Sequence, residues 1–274
     1  MILPESMSTG EGFKKYFQIL PAIAAVEKHA AFRIRHSVYC EDLGWEAVQS
    51  NGLETDEFDD QSLHCLVRSV ATGEPIGCVR LVLAGPARPR ALLPFEKACA
   101  DGLDRSIIDP ARIPRDRIAE VSRLSIVGQY RRRRGEQNTP GIVQDTDFGT
   151  PDRPRFPYLL VGLYMGVFAL ADMHGLEKLF LLSETRLARH LNKIGITNTL
   201  IGTPIEHRGQ RAPAVMDVRQ VIDNLDPLLG SVYAVVRGEL ESAYHKAGMK
   251  RPPRSLRSLP PEGASQSLGA ARRH

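Results

Sequence analysis

The spacing of apolar and polar positions changes several times along the chain, and each spacing predicts a different element. Residues 17–45 alternate short apolar groups with charges and predict one or two helices ending near Leu43-Gly44. The run His64-Cys65-Leu66-Val67-Arg68-Ser69-Val70 has the residue types of a strand. The turn Thr72-Gly73-Glu74-Pro75 leads into a second strand at 76–83, so the pair reads as a hairpin. A short helix is predicted at 95–102, and 118–127 alternates as a third strand. Residues 158–174 are apolar on every side and stop at Gly175, which predicts a buried helix. A strand at 178–182 and a helix at 184–193 follow, the helix carrying Leu187 and Leu191 one turn apart. A closing hairpin from 199–203 and 212–218 and a last helix at 232–246 complete the pattern. Residues 85–94 and 137–157, rich in Pro, predict loops. This order is mixed α/β, not the strict alternation of a doubly wound sheet. No GxGxxG follows a strand and no GxxxxGKS/T occurs, which argues against a nucleotide-binding fold.

Composition narrows the class. The 274 residues are 42% apolar and 25% charged, as in a globular protein of one or two domains. The net charge of +4 is uneven: residues 250–274 hold six Lys/Arg against one Glu, which leaves −1 for the rest. The basic balance therefore belongs to the tail and gives no ground for nucleic acid as a partner. A single domain is expected over 12–248, and 249–274, rich in Pro, Ser and Arg, is expected to be disordered. The longest uncharged apolar stretch, 156–171, has 16 residues, short of the roughly 18–20 that span a bilayer. Four cysteines form no CxxC pair and the start carries no apolar signal core, so a reducing, cytoplasmic compartment is expected.

Three clusters could carry chemistry. The first is Arg35-His36-Ser37-Val38-Tyr39 with Leu43-Gly44-Trp45, the last being the one tryptophan; its plain alternative is a helix face with one core aromatic. The second is 52–60, with Glu54, Asp56, Glu57, Asp59 and Asp60. Such a run is a solvated loop, a metal loop, or a set of carboxylates that receives a cationic substrate or holds Arg35, Arg80 and Arg123; the EF-hand spacing is missing. The third is Glu120-Val121-Ser122-Arg123 on a strand. Alternation puts Glu120 and Ser122 on one face, with Val121 and Arg123 on the other. Desolvation there would raise the Glu120 pKa toward that of a general base, whereas an edge strand would leave it in water. No HxxxH pair occurs, so no metal site is expected, and His207 is given no role. Cys78 on its apolar strand is expected to pack, not react.

Taken in order, these clusters resemble the acyl-homoserine-lactone (autoinducer) synthase family of the N-acetyltransferase-like superfamily. The matching residues are Arg35, Tyr39 and Trp45; Glu54, Asp56 and Asp59; Gly77-Cys78-Val79-Arg80-Leu81; and Glu120-Val121-Ser122-Arg123. A closer resemblance is to the PEP-CTERM/exosortase system-associated acyltransferases. It rests on Phe13-Lys14-Lys15-Tyr16-Phe17, Gly52-Leu53-Glu54-Thr55-Asp56, Leu93-Pro94-Phe95-Glu96-Lys97 and Ser122-Arg123-Leu124 followed by 130–135. Tyr39 stands where the synthases usually have Phe. Arg132-Arg133-Arg134-Gly135-Glu136-Gln137 keeps only the first part of the acetyltransferase pyrophosphate loop, which leaves room for an acyl carrier protein as donor.

The resemblance implies a GNAT-like (acyl-CoA N-acyltransferase) α/β fold, a mixed central sheet with helices on both faces. It implies transfer of a fatty acyl group from a thioester, on acyl carrier protein or coenzyme A, to a small amine. The alternative is a true lactone synthase that uses S-adenosylmethionine and makes a quorum-sensing signal. No tightly bound cofactor is implied. Glu120 would be the base, and Ser122 would donate to the leaving thiolate or bond locally. A backbone N–H near Leu124 or Ser125 would meet the thioester oxygen. Arg35, Tyr39 and Trp45 would line the amine pocket, Arg35 gripping a carboxylate and Trp45 facing a sulfonium. Asp56, Asp59, Arg80 and Arg123 would form an ion-pair network around it. Arg131, Arg132, Arg133 and Arg134, with Arg112, Arg115 and Arg117, would form a landing patch for an acidic carrier protein. The helix from 158 would line an acyl tunnel or be plain core.

Overall fold

In the computed structural model, residues 8–84, 91–131, 149–150, 153–154 and 158–249 are described. Helix α1 (Thr9–Tyr16) starts at a capping box between Ser8 and Glu11 and runs straight into strand β1 (Phe17–Pro21). Helix α2 (Ala25–Arg35) continues as a π-helical turn, His36–Asp42. The hairpin of β2 (Ser62–Ser69) and β3 (Pro75–Leu83) follows, then α3 (Pro94–Ala98), β4 (Ile118–Ile126) and the short α4 (Gly128–Arg131). Two short strands, β5 (Gly149–Thr150) and β6 (Arg153–Pro154), pair with each other. Helix α5 (Tyr158–Met173), β7 (Lys178–Ser183) and α6 (Thr185–Lys193) come next. The chain closes with β8 (Thr199–Leu200), β9 (Ile205–Glu206), β10 (Gln210–Asp217), α7 (Val218–Asp223) and α8 (Pro227–Lys246).

The main sheet has the order β1-β2-β3-β4-β7-β10-β8, with β9 beside β10. Every pairing in it is antiparallel except β4 with β7. Period-two alternation sorts the strand side chains between two apolar layers. Cys65 and Val67, Val79 and Leu81, and Ala119 and Val121 face the layer built on α5 and α8. Leu66 and Cys78 join Ala31 and Ile34 of α2 on the other face. Helix α5 lies close to the sheet because two glycines allow it. A Cβ on Gly166 would stand 2.6 Å from Cys65 Sγ, and one on Gly162 would stand 2.5 Å from Phe13 Cε2. The free edge of β1 is blunted by α8: Ile19 N–H donates to Glu239 Oε2 at 2.8 Å.

Two expectations change here. Residues 17–21, expected to be helical, form β1, because Phe17 to Pro21 pair with Ser69 to Cys65. Five residues are too few for periodicity to separate strand from helix, and the distant partner decides. The last helix starts at Pro227, five residues before the expected start, with Asp226 Oδ1 accepting from Leu229 N–H at 2.9 Å.

Candidate active site

Strand β4 is irregular where its chemistry lies. Arg80 pairs with Ser122 and Cys78 with Ser125, so Val79 alone faces two residues, Arg123 and Leu124. Arg123 takes φ +52°, and this bulge turns its side chain out of the expected alternation. Regular alternation would have driven Arg123 into the α5 layer beside Val121. The extra residue instead lets Val121, Leu124 and Ile126 share that layer and sends Arg123 to the carboxylates opposite. Parallel pairing between β4 and β7 stops at Val121 with Leu181. Beyond it the two strands part, and the fork opens beside Glu120.

The π-helical turn brings the first motif to this fork. Leu43 N–H reaches back to Val38 O, and Trp45 N–H reaches Tyr39 O at 2.8 Å. Tyr39 and Trp45 therefore stack, with ring centroids 5.8 Å apart. The Tyr39 hydroxyl donates to Leu124 O at 3.0 Å. Gly44 at φ +61° lets the chain turn out of the helix between them.

Of the acidic run, Glu54, Asp56 and Asp59 form an ion-pair network with the arginines, while Glu57 and Asp60 stay exposed. Arg35 donates through Nε to Glu54 and through Nη1 and Nη2 to Asp59 at 2.6 and 3.1 Å. Arg80 Nη1 donates to Asp56 (2.5 Å) and Asp59 (2.8 Å), and its Nε donates to Ser122 Oγ (3.0 Å). Arg123 bonds Glu54 and Asp56, each as close as 3.0 Å. Burial works against the ionised form of Asp59, but its hydrogen bond and charge contact with Arg35, and the charge of Arg80, hold it well below the usual carboxylate range. The same balance lowers Glu54 and Asp56. His64, buried beside this network, is pushed down to about 4 by desolvation first, with the positive charges of Arg35 and Arg80 acting the same way.

Glu120 has the opposite fate. It is 4% exposed, and its Oε2 accepts from the Phe95 backbone N–H at 2.7 Å. Burial raises its pKa to about 8; that hydrogen bond and the charges of Arg80 and Arg123 offset only part of the rise. The donor is set in place by α3, where Glu96 caps Leu93 N–H (2.8 Å) and pairs with Arg115 (2.8 Å). The Phe95 ring stacks on Phe180 of β7 at 4.6 Å. Glu120 opens on a cleft of about 240 Å³ whose wall includes Tyr39, Trp45, Arg80, Ser122 and Arg211.

The structure thus gathers Tyr39, Trp45, Asp56, Arg80, Glu120, Ser122 and Arg123 around one cleft, with Asp59 in the network behind it. Arg35 is different. It is fully buried and held by Glu54 and Asp59, and it does not line the cleft, so it has no free edge for a substrate carboxylate. Arg123 is not on the Val121 face. Leu124 and Ser125 lie on β4 past the fork without lining the cleft; Leu124 O is taken by Tyr39, and Ser125 Oγ donates to Arg123 O at 3.2 Å. Arg131 ends α4, and Arg132, Arg133 and Arg134 lie outside the described residues, as does the tail beyond 249. Of the other patch arginines, Arg115 is spent on Glu96 and Arg117 on Glu177 (2.9 Å), while Arg112 stays exposed beside Asp109 (3.5 Å). Helix α5 lies on the other face of the sheet and lines no part of the cleft.

Sequence reasoning passed over Glu46, Arg208 and Arg211 and gave His207 no role. Glu46 bonds Arg208 and lies 3.6 Å from Arg123; His207 and Arg208 from the turn between β9 and β10, and Arg211 at the start of β10, line the cleft. They lie more than 160 residues from the Trp45 motif, and Arg208-Gly209 reads as an ordinary turn.

A family model for the acetyltransferase (GNAT) domain matches residues 34–139. The fold has counterparts in solved structures. TofI, solved in a ternary complex with an inhibitor and MTA, superposes with a TM-score of 0.53 at 20% identity, covering 77% of this chain and 99% of TofI. The chain has the GNAT-type acyltransferase fold. BjaI, a CoA-dependent acyl-homoserine lactone synthase solved with SAM and isopentyl-CoA, gives a TM-score of 0.50 at 19% identity, covering 89% of this chain and 95% of BjaI. A curated acyl-homoserine-lactone synthase of Vibrio anguillarum is 27% identical over 67 residues, 24% of this chain. The match spans 35% of that relative's length. Among the described residues no helix is long and apolar enough to cross a membrane.

Proposed function

We propose that the protein is an N-acyltransferase that moves a fatty acyl group from an acyl thioester to a small primary amine. One observation carries the reading: Glu120 is buried on a central strand yet opens on a cleft at the point where two parallel strands part. A thioester is already activated, so no covalent enzyme intermediate is needed. The site must hold nitrogen and carbonyl carbon within about 3–3.5 Å. The amine arrives as an ammonium, and ionised Glu120 takes its proton. The C–N bond forms and the C–S bond breaks; the second proton of the nitrogen passes to the leaving thiolate, directly or relayed through water or the Ser122 hydroxyl, which regains the proton it gives and whose oxygen is held by Arg80.

The donor is proposed to be acyl carrier protein or coenzyme A, which places the reaction in the cytoplasm and the machinery in one domain over 12–248. Arg131 to Arg134 are the proposed contact for an acidic carrier protein. The likeness to exosortase-associated acyltransferases is the ground for putting a general amine acceptor first. A second reading, lactone synthesis from S-adenosylmethionine, is supported by the Vibrio anguillarum relative and by the stacked Tyr39–Trp45 pair. Against it, the Trp45 ring already carries a cation, the Arg211 guanidinium, 5.3 Å from its centroid. The test is thiol release by the purified chain from acyl-coenzyme A and acyl-carrier protein, with a panel of amines. Release with S-adenosylmethionine, accompanied by methylthioadenosine, selects the lactone reading. Release only with other amines selects the broader one. No release with any donor and acceptor sinks both.

A further inference from the structure

Each cation around the cleft can be asked what holds its charge. Arg80 and Arg123 are saturated by Asp56, Asp59 and Glu54, and Arg208 is held by Glu46. Arg211 is the exception. It has no carboxylate within ion-pair distance and no side-chain hydrogen bond among the described residues, and its Nε is buried without a partner. Its guanidinium carbon instead lies over the Trp45 ring, 5.3 Å from the centroid. Arg211 sits on β10 next to Ala212, which pairs with Ser183 at the end of β7. It therefore stands on the β7 side of the fork, opposite the strand that carries Glu120.

We propose that Arg211 is the specificity residue of the acceptor site: it binds the carboxylate of an amino-acid-like amine whose nitrogen faces Glu120. This deepens the acyl-transfer reading and rests on it. A planar guanidinium with a buried, unused N–H offers the forked geometry that a carboxylate fills. A single small molecule with an ammonium at one end and a carboxylate at the other matches a cleft that has a buried carboxylate on one wall and an uncompensated cation on the other. Desolvation lowers the pKa of Arg211, and the charge interactions with Tyr39 and Glu184, neither within ion-pair distance, offset only part of it. The role first expected of Arg35 falls to Arg211, because Arg35 is already bound on both edges.

The one tryptophan of the chain lies under Arg211 and reports binding without turnover. The full chain is titrated by Trp45 fluorescence with α-amino acids against their amides, and with S-adenosylmethionine against its decarboxylated form. At least one carboxylated probe is expected to bind about 10- to 100-fold more tightly than its carboxylate-free partner, and Arg211→Gln is expected to abolish the difference. Arg211→Lys, which keeps the charge and loses the fork, is expected to restore part of it. In turnover, Arg211→Gln raises KM for the amine and leaves KM for the thioester unchanged. Equal binding of the paired probes by the native chain overturns the proposal, even if thiol is released. So does a rise confined to KM for acyl-coenzyme A but not for a phosphate-free acyl thioester, because Arg211 then holds the donor's phosphate. Carboxylate-dependent binding without any thiol release keeps the anion site and rejects the acyl-transfer reading instead.

Discussion

Glu120 and Asp59 are both buried carboxylates, and their neighbours drive them to opposite states. Asp59 accepts from two arginines and from the Asp56 N–H at 2.8 Å, and stays ionised. Glu120 accepts from a backbone amide, and burial lifts it to about 8. Removing the Asp59 charge leaves Arg35 and Arg80 buried and undercompensated. Asp59→Asn is expected to cost about 3–5 kcal/mol in urea unfolding. Glu120→Gln should leave the fold intact and lower kcat/KM about 10²–10⁴-fold. In the native chain kcat/KM should rise with pH and level off above about 8, because only ionised Glu120 accepts a proton. A profile already flat from pH 6 upward would remove Glu120 from that role. These motif residues were legible in the sequence because ionisable side chains on apolar strands need partners, and the acidic run at 54–59 offered them. Arg211 was not legible, since an unpaired cation is recognisable only once every other charge has been placed.

At the scale of elements, two local departures from regular geometry build the cleft. The bulge in β4 turns Arg123 toward Glu54 and Asp56, and the π-helical turn after α2 stacks Tyr39 on Trp45. Neither can be read from alternation or helical spacing, because each inserts one residue into a regular repeat. Packing of α5 is the other determinant. Gly166→Ala would push a methyl group into Cys65 Sγ and is expected to cost about 1–3 kcal/mol, read as a lower urea midpoint. The folded fraction of that variant should keep native kcat, since α5 lies across the sheet from the cleft.

For the whole molecule, stability depends on pH through two opposed sets of groups. Glu54, Asp56 and Asp59 have folded values below their unfolded ones, so their contribution is complete above the unfolded values near 4 and is lost on acidification. Glu120 runs the other way. Between its ordinary 4.5 and about 8 the unfolded chain has released the proton that the folded chain keeps, so stability falls as pH rises through that window. Glu120→Gln should therefore be more stable than the native chain at pH 8, by up to about 4 kcal/mol, with the gap closing toward pH 4.5. Urea unfolding at stepped pH checks it; a constant gap across the range would mean that Glu120 titrates normally.

By itself the sequence determined most of the elements and the residue types of the site. Hydrophobic spacing and the avoidance of unpaired buried charge act over short stretches, so the β2–β3 hairpin, β4, α5 and the Arg–carboxylate motifs can be read locally. Tertiary structure decided β1, whose five residues become a strand only beside β2. It also decided the turn of Arg123, the confinement of Arg35 and the solitary charge of Arg211. Each of those depends on which groups meet across the sheet, and electrostatic compensation is a property of neighbours in space, not of neighbours in the chain.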